Sequence, residues 1–158
     1  MIRAARFADI PRLTDLLCEM HDHSKYAGVV EVSRPAAQGL LQNAIRRHDG
    51  EHDGGALVMV DEQAGEIEGF IVGVLNRVYL IGDKLAANDL FLHTTGKAGG
   101  LSALKLLAAY VAWADRNPKV HEIKLSWTDT MPGAERIGMV YERMGFARCG
   151  AIYERGRS

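Results

Sequence analysis

The residues best placed for chemistry lie in one run, Asn88–Ala103 (NDLFLHTTGKAGGLSA). A strand pattern ends there, glycines follow, and a helical pattern begins. At such a junction successive backbone N–H groups point into one concavity, with the positive end of the helix dipole behind them, so an anion is favoured. Gly99 and Gly100 remove the side chains that would keep a phosphate from the backbone, and Lys97 and the Ser102 hydroxyl can add to the cradle. Two phosphate loops fail on spacing. A Walker A loop needs Gly-x-x-x-x-Gly-Lys-Ser/Thr, but Ala98 follows Gly96-Lys97 and Phe91 stands where the first glycine is required. Gly96, Gly99 and Gly100 do not fit the Gly-x-Gly-x-x-Gly of a dinucleotide fold.

The elements that must position this run can be read from periodicity. Ile2–Arg6 reads as an opening strand. Asp9 is an N-cap candidate for a helix with Pro11 in its first turn and a Leu13, Leu16, Leu17, Met20 stripe. Ser33 caps a second helix, with Pro35 just inside and Ala37, Leu40, Leu41 and Ala44 on one face. After the turn-rich His48–Gly55, Ala56–Val60 and Glu66–Leu75 form a hairpin around an Asp61–Gly65 turn. Leu85–His93 is the next strand. Leu101–Arg116 is the longest helix, apolar over so wide a surface that it must lie against a sheet. Ile123, Leu125 and Trp127 alternate in a further strand. Ile137, Val140, Tyr141 and Met144 mark the last helix, with Gly145 as its left-handed C′ residue and Phe146 as the apolar partner after it. Ala147–Tyr153 reads as a final strand. The order β-α-α-β-β-β-α-β-α-β predicts an α/β fold with one mixed, mainly antiparallel central sheet and helices on both faces.

Composition agrees with a single domain over 1–158. The 158 residues are 47% hydrophobic and 25% charged, which argues against disorder. Nineteen Lys and Arg against 20 Asp and Glu leave a formal net charge of −1, so nothing draws the chain to nucleic acid or to an anionic membrane. No apolar run reaches the roughly 18 residues of a spanning helix, and Met1–Phe7 lacks the apolar stretch of a signal peptide. Cys18 and Cys149 form no metal motif, and two free thiols suit a reducing cytoplasm. His21, His23, His48 and His52 lie in polar loops without a supporting ligand pattern, so no metal site is expected. Trp113 and Trp127 lie on apolar faces and read as core or interface, not as ligand platforms, and a homodimer is a separate expectation.

The Lys97–Ser102 hexapeptide KAGGLS resembles the Q/R-x-x-G-x-G/A loop of the GNAT superfamily of N-acetyltransferases. Lys97 stands at the Gln/Arg position, Gly100 at the central Gly and Ser102 at the final Gly/Ala, so the first and last are conservative departures. The context agrees. Asp89–His93 (DLFLH) is similar to the strand before that loop, Val140–Phe146 (VYERMGF) to the C-terminal signature, and Ile2–Leu13 to the opening strand and helix.

The resemblance implies a GNAT-like fold and acetyl transfer from acetyl-CoA, a co-substrate, to a primary amine of a small molecule or protein. It implies CoA contacts at Phe91, Leu92 and His93 of the strand, at Lys97, Ala98, Gly99, Gly100, Leu101, Ser102 and Ala103 of the loop, and at Arg143 of the signature. Tyr141 matches the tyrosine that serves as general acid. Asp89 lies near where some relatives carry an acidic base, His93 adjoins the cofactor strand, and a water-mediated route is a third option. Ala134 replaces an asparagine that contacts the pantetheine arm in relatives. Glu31, His23 and Tyr26 are candidate acceptor contacts. The alternative is a CoA-binding sensing or assembly module that no longer catalyses.

Overall fold

The computed structural model describes residues 1–157. Its strands are β1 (Ile2–Ala4), β2 (Ala56–Gln63), β3 (Glu66–Arg77), β4 (Leu85–Thr94) and β5 (Val120–Lys124), and its helices α1 (Ile10–Asp22), α2 (Arg34–Arg46), α3 (Ser102–Asp115) and α4 (Glu135–Arg143). One sheet runs β1-β2-β3-β4-β5. Every pairing is antiparallel except β4 with β5, which is parallel. The mixed, mainly antiparallel sheet with helices on both faces is the fold that the sequence predicts.

Alternation along the hairpin sends side chains to two separate cores. Val58, Val60, Phe70 and Val72 meet Leu13, Leu16 and Leu17 of α1 and Leu41 of α2. Their neighbours Leu57, Ile71 and Leu75 meet Leu106, Leu107, Tyr110 and Trp113 of α3, and Tyr141 of α4 joins this second core. Burying each such side chain contributes about 1.5–3 kcal/mol. Gly73 on β3 admits Tyr110: a Cβ there would come within 2.7 Å of the ring atom Cε2. The C-terminus of α4 closes as expected, with Gly145 at φ 93° and the Phe146 N–H bonded to Tyr141 O at 3.0 Å.

Several local expectations change. Asp9 does not cap α1. Its carboxylate accepts from the Arg6 N–H, which closes a short 3-10 turn at Phe7–Asp9, and pairs with Arg3. Ser33 does cap α2, accepting from the Ala36 N–H at 3.2 Å. Asp61 is not in the turn: β2 continues to Gln63, and Ala64-Gly65, both at positive φ, make a tighter one. Leu125 and Trp127 lie beyond the end of β5. Ala147–Tyr153 forms no strand; Ile152 and Tyr153 are exposed there. Alternation alone does not make a strand when no neighbour pairs with it.

Candidate active site

The site begins where the sheet splits. Parallel pairing between β4 and β5 ends at Asn88 opposite Lys124. Beyond that point β4 continues to Thr94 along β3, while the chain after β5 leaves the sheet. On β4, Asp89 pairs with Gly73 and Phe91 with Val72, so Leu90 is an extra, unpaired residue. This β-bulge bends the strand. It also resets its faces: Phe91 packs toward α1 and α2, and Leu92 toward α3.

A chain leaving a ladder must find other partners for its backbone polar groups. Three side chains supply them here. Tyr110 of α3 donates to Lys124 O at 2.7 Å, and Tyr141 of α4 donates to Ser126 O at 3.1 Å. Asp89 Oδ1 accepts from the Ser126 backbone N–H and from its hydroxyl, each at 3.1 Å. Asp89 and Tyr141 therefore meet at one residue, Ser126, across the mouth of the split. Burial raises the Asp89 pKa against the lowering effect of the Ser126 bonds. Burial, then the Asp89 charge, holds the Tyr141 hydroxyl protonated well above the usual phenol range.

At the far end of β4 the glycine loop enters α3. Thr95 Oγ1 accepts from the Lys97 N–H, and Thr95 O from the Ala98 N–H. Gly99 takes φ 77°, a conformation that side chains disfavour. Among the described residues no hydrogen bond engages the N–H groups of Gly99, Gly100, Leu101 or Ala103. Gly99, Gly100 and Lys97 are exposed, and Leu101 stands out to solvent. A helix start with unengaged N–H groups and a nearby lysine is suited to a phosphate group.

Ser102 departs from the expected cradle. It is 2% exposed, and its hydroxyl donates to Asp61 Oδ2 at 2.7 Å, beneath the loop. Gln63 Nε2 donates to the same oxygen at 2.8 Å and to Ala98 O at 2.6 Å, while the Met1 amino group lies 3.0 Å from Asp61 Oδ1. Burial pushes the Asp61 carboxyl up, but Ser102, Gln63 and the amino group together hold it below the usual range. The serine is thus compatible with a Gly/Ala position because its hydroxyl is drawn inward, and the Asp61 network fixes the loop from below.

The remaining predicted residues are dispersed. Ala98 is buried under the loop and Ala103 is half-buried in the first turn of α3. Arg143 is exposed on the last turn of α4, with no ion pair among the described residues. His93 projects to the opposite face of the sheet from Tyr141, against Phe70, with ring centroids 6.4 Å apart. His23 bonds back to Glu19 O, and Glu31 and Tyr26 are exposed on the segment between α1 and α2. His48 Nδ1 accepts from the Val58 N–H, a structural role. Among the described residues no group of three or more His, Cys, Asp or Glu side chains could hold a metal ion, and no helix is long and apolar enough to cross a membrane. Sequence reading missed Ser126 and Gln63. Asp61 left one signal, a carboxylate directly after the apolar run ALVMV.

Solved structures of other proteins share this fold. A ribosomal-protein-alanine N-acetyltransferase from Brucella melitensis biovar Abortus superposes with a TM-score of 0.68 at 17% identity, covering 99% of both chains. A putative acetyltransferase from Agrobacterium tumefaciens gives 0.72 at 13% identity, with 99% of each chain covered. Glucosamine-6-phosphate N-acetyltransferase from Arabidopsis thaliana gives 0.69 at 12%, covering 100% of this chain and 98% of that one. No protein-family model and no curated protein sequence matches the chain. The fold is that of the GNAT acetyltransferases.

Proposed function

We propose that the protein transfers an acetyl group from acetyl-CoA to a primary amine. One observation supports this above the others: β4 and β5 part beside a bulged residue, within one strand's length of a helix start with unengaged N–H groups. A pantetheine arm lying along Phe91, Leu92 and His93 would carry its thioester into the split and leave the pyrophosphate over Gly99, Gly100 and Leu101. Lys97 and Arg143 are the cations within this reading for the CoA phosphates. The acceptors named for two similar structures, a ribosomal protein's alanine and glucosamine 6-phosphate, are both amines.

In this reading the amine nitrogen attacks the thioester carbonyl carbon, the C–N bond forms, and the C–S bond breaks. Backbone N–H groups at the bulge suit the negative charge that develops on the carbonyl oxygen. Tyr141 exchanges its bond to Ser126 O for one to the departing sulfur. A phenol near 10 is a weaker acid than a thiol near 8.5, so its contribution is a hydrogen bond that stabilises the sulfur as charge builds, with the proton following from the amine. Asp89 spends its Oδ1 on Ser126, and its part is to hold the two walls of the split at a fixed separation.

The test is thermal unfolding with acetyl-CoA, CoA, ATP and NAD in parallel, then thiol release with a panel of amines. A ligand at a hundred times its Kd adds about 2.7 kcal/mol to a state that alone binds it, on the order of 5–10 °C at this size. Stabilisation by both CoA forms alone, followed by thiol release, supports the reading. Stabilisation without release from any amine favours the non-catalytic module, and no shift at millimolar CoA rejects both.

A further inference from the structure

We propose that Glu19 on α1 orients the His93 imidazole as the proton acceptor for the incoming amine, an inference that rests on the acetyl-transfer reading. His93 Nε2 is fully buried and has no hydrogen-bond partner among the described residues. It lies 3.6 Å from Glu19 Oε1. A buried N–H without a partner is unfavourable, and a shift of a few tenths of an ångström turns this approach into a hydrogen bond. Such a bond fixes the proton on Nε2 and leaves the basic lone pair on Nδ1.

The position suits the chemistry. β4 carries one titratable group on each face: Asp89, with Tyr141, toward α3 and α4, and His93 toward α1 and α2. Acyl transfer to an amine handles protons at two places, taking one from the nitrogen and placing one on the sulfur. Groups on opposite faces of the strand that would hold the thioester can serve both ends. The ammonium gives one proton to His93. After attack, the nitrogen's surplus proton leaves as the C–S bond breaks and ends on the thiolate at the Tyr141 side.

Burial keeps the ring neutral against the pull of the Glu19 charge. Burial lowers the His93 pKa most, the Glu19 charge raises it, and His23 and Arg12 lower it. Glu68 on β3, 8% exposed, lies 3.9 Å from Arg12 and accepts from Thr95 Oγ1, which offsets part of the Arg12 charge. An imidazole lowered in this way is unprotonated at neutral pH, the state a base requires.

The experiment joins two measurements on the full chain: the imidazole pKa of His93 by NMR without ligand, and the pH profile of kcat/KM for thiol release. Glu19→Gln removes the charge that raises the pKa, so both the NMR midpoint and the acidic limb move to lower pH by about one unit. Glu19→Asp restores them. His93→Gln, and His93→Asn should the first fold poorly by circular dichroism, removes the limb and lowers kcat/KM by about a hundredfold or more. An unmoved NMR midpoint in Glu19→Gln, or a His93 variant that keeps the wild-type acidic limb, overturns the inference while acetyl transfer stands. Absence of thiol release from the wild type overturns both, and the NMR midpoint then still reports whether the pair is coupled.

Discussion

Asp89 Oδ1 accepts two bonds from Ser126, one from the backbone N–H and one from the hydroxyl, each at 3.1 Å. The carboxylate takes the place that a β4 carbonyl would hold if the parallel ladder continued. Asparagine offers an oxygen at the same position and aspartate's charge is not needed for the clip. Asp89→Asn is therefore expected to keep thiol-release turnover within about fivefold of wild type, whereas loss of a general base costs about 10²–10⁴-fold. Asp89→Ala hands the exposed Ser126 donors to water and lowers stability by about 0.5–1.5 kcal/mol, read by urea unfolding.

The same carboxylate fixes a sign for stability against pH. Its folded pKa is raised above the ordinary 3.8, chiefly by burial. The native state then holds the proton more tightly than the unfolded chain, so this group's contribution is greatest below 3.8 and is lost as pH rises through its folded value. Measured as wild type minus Asp89→Asn, the unfolding free energy should fall with rising pH in that window and level off above it. A difference that rises with pH would contradict the burial argument.

Tyr141→Phe separates chemistry from packing. The ring stays in the second core, and the loss of the bond to Ser126 O costs about 1 kcal/mol of stability. Turnover should fall by about a hundredfold or more, with acetyl-CoA affinity unchanged by calorimetry. Equal losses in affinity and turnover would show that the hydroxyl shapes the pocket and does not act at the sulfur.

Ser102→Ala tests which way the loop serine faces. Its hydroxyl bonds Asp61 inside the protein, so CoA affinity should change by less than about threefold, whereas stability falls by about 1.5–3 kcal/mol because a buried carboxylate loses a donor. A large loss of affinity with intact stability would place the hydroxyl on the phosphate.

Gly73→Ala tests the support beneath the split. The new methyl would meet Tyr110 Cε2 at 2.7 Å and displace the ring whose hydroxyl holds Lys124 O. Overpacking of this kind costs about 1–3 kcal/mol, visible as a lowered Tm, and turnover should fall with it because β5 loses its anchor.

The sequence by itself determined the element order as far as the last helix, the helices on both faces of the sheet and the glycine loop. Each depends on patterns within a few residues: the apolar run Ala56–Val60, the Leu13, Leu16, Leu17 stripe, the Ser33 cap, and the glycines ahead of Ser102. Such patterns report which face is apolar and where backbone freedom is needed, and these are local properties. Tertiary structure decided what the side chains do. Nothing near Ser126 in the chain marks it as the meeting point of Asp89 and Tyr141, because 37 and 15 positions separate it from them. The Leu90 bulge depends on the register of β3 against β4, and the direction of the Ser102 hydroxyl on Asp61, 41 positions away. Ala147–Tyr153 shows the converse: its pattern suits a strand, but strand pairing is supplied by a neighbour, and a pattern cannot supply one. Hydrogen bonds and charge pairs act over a few ångströms in space, and only folding brings these residues within that range.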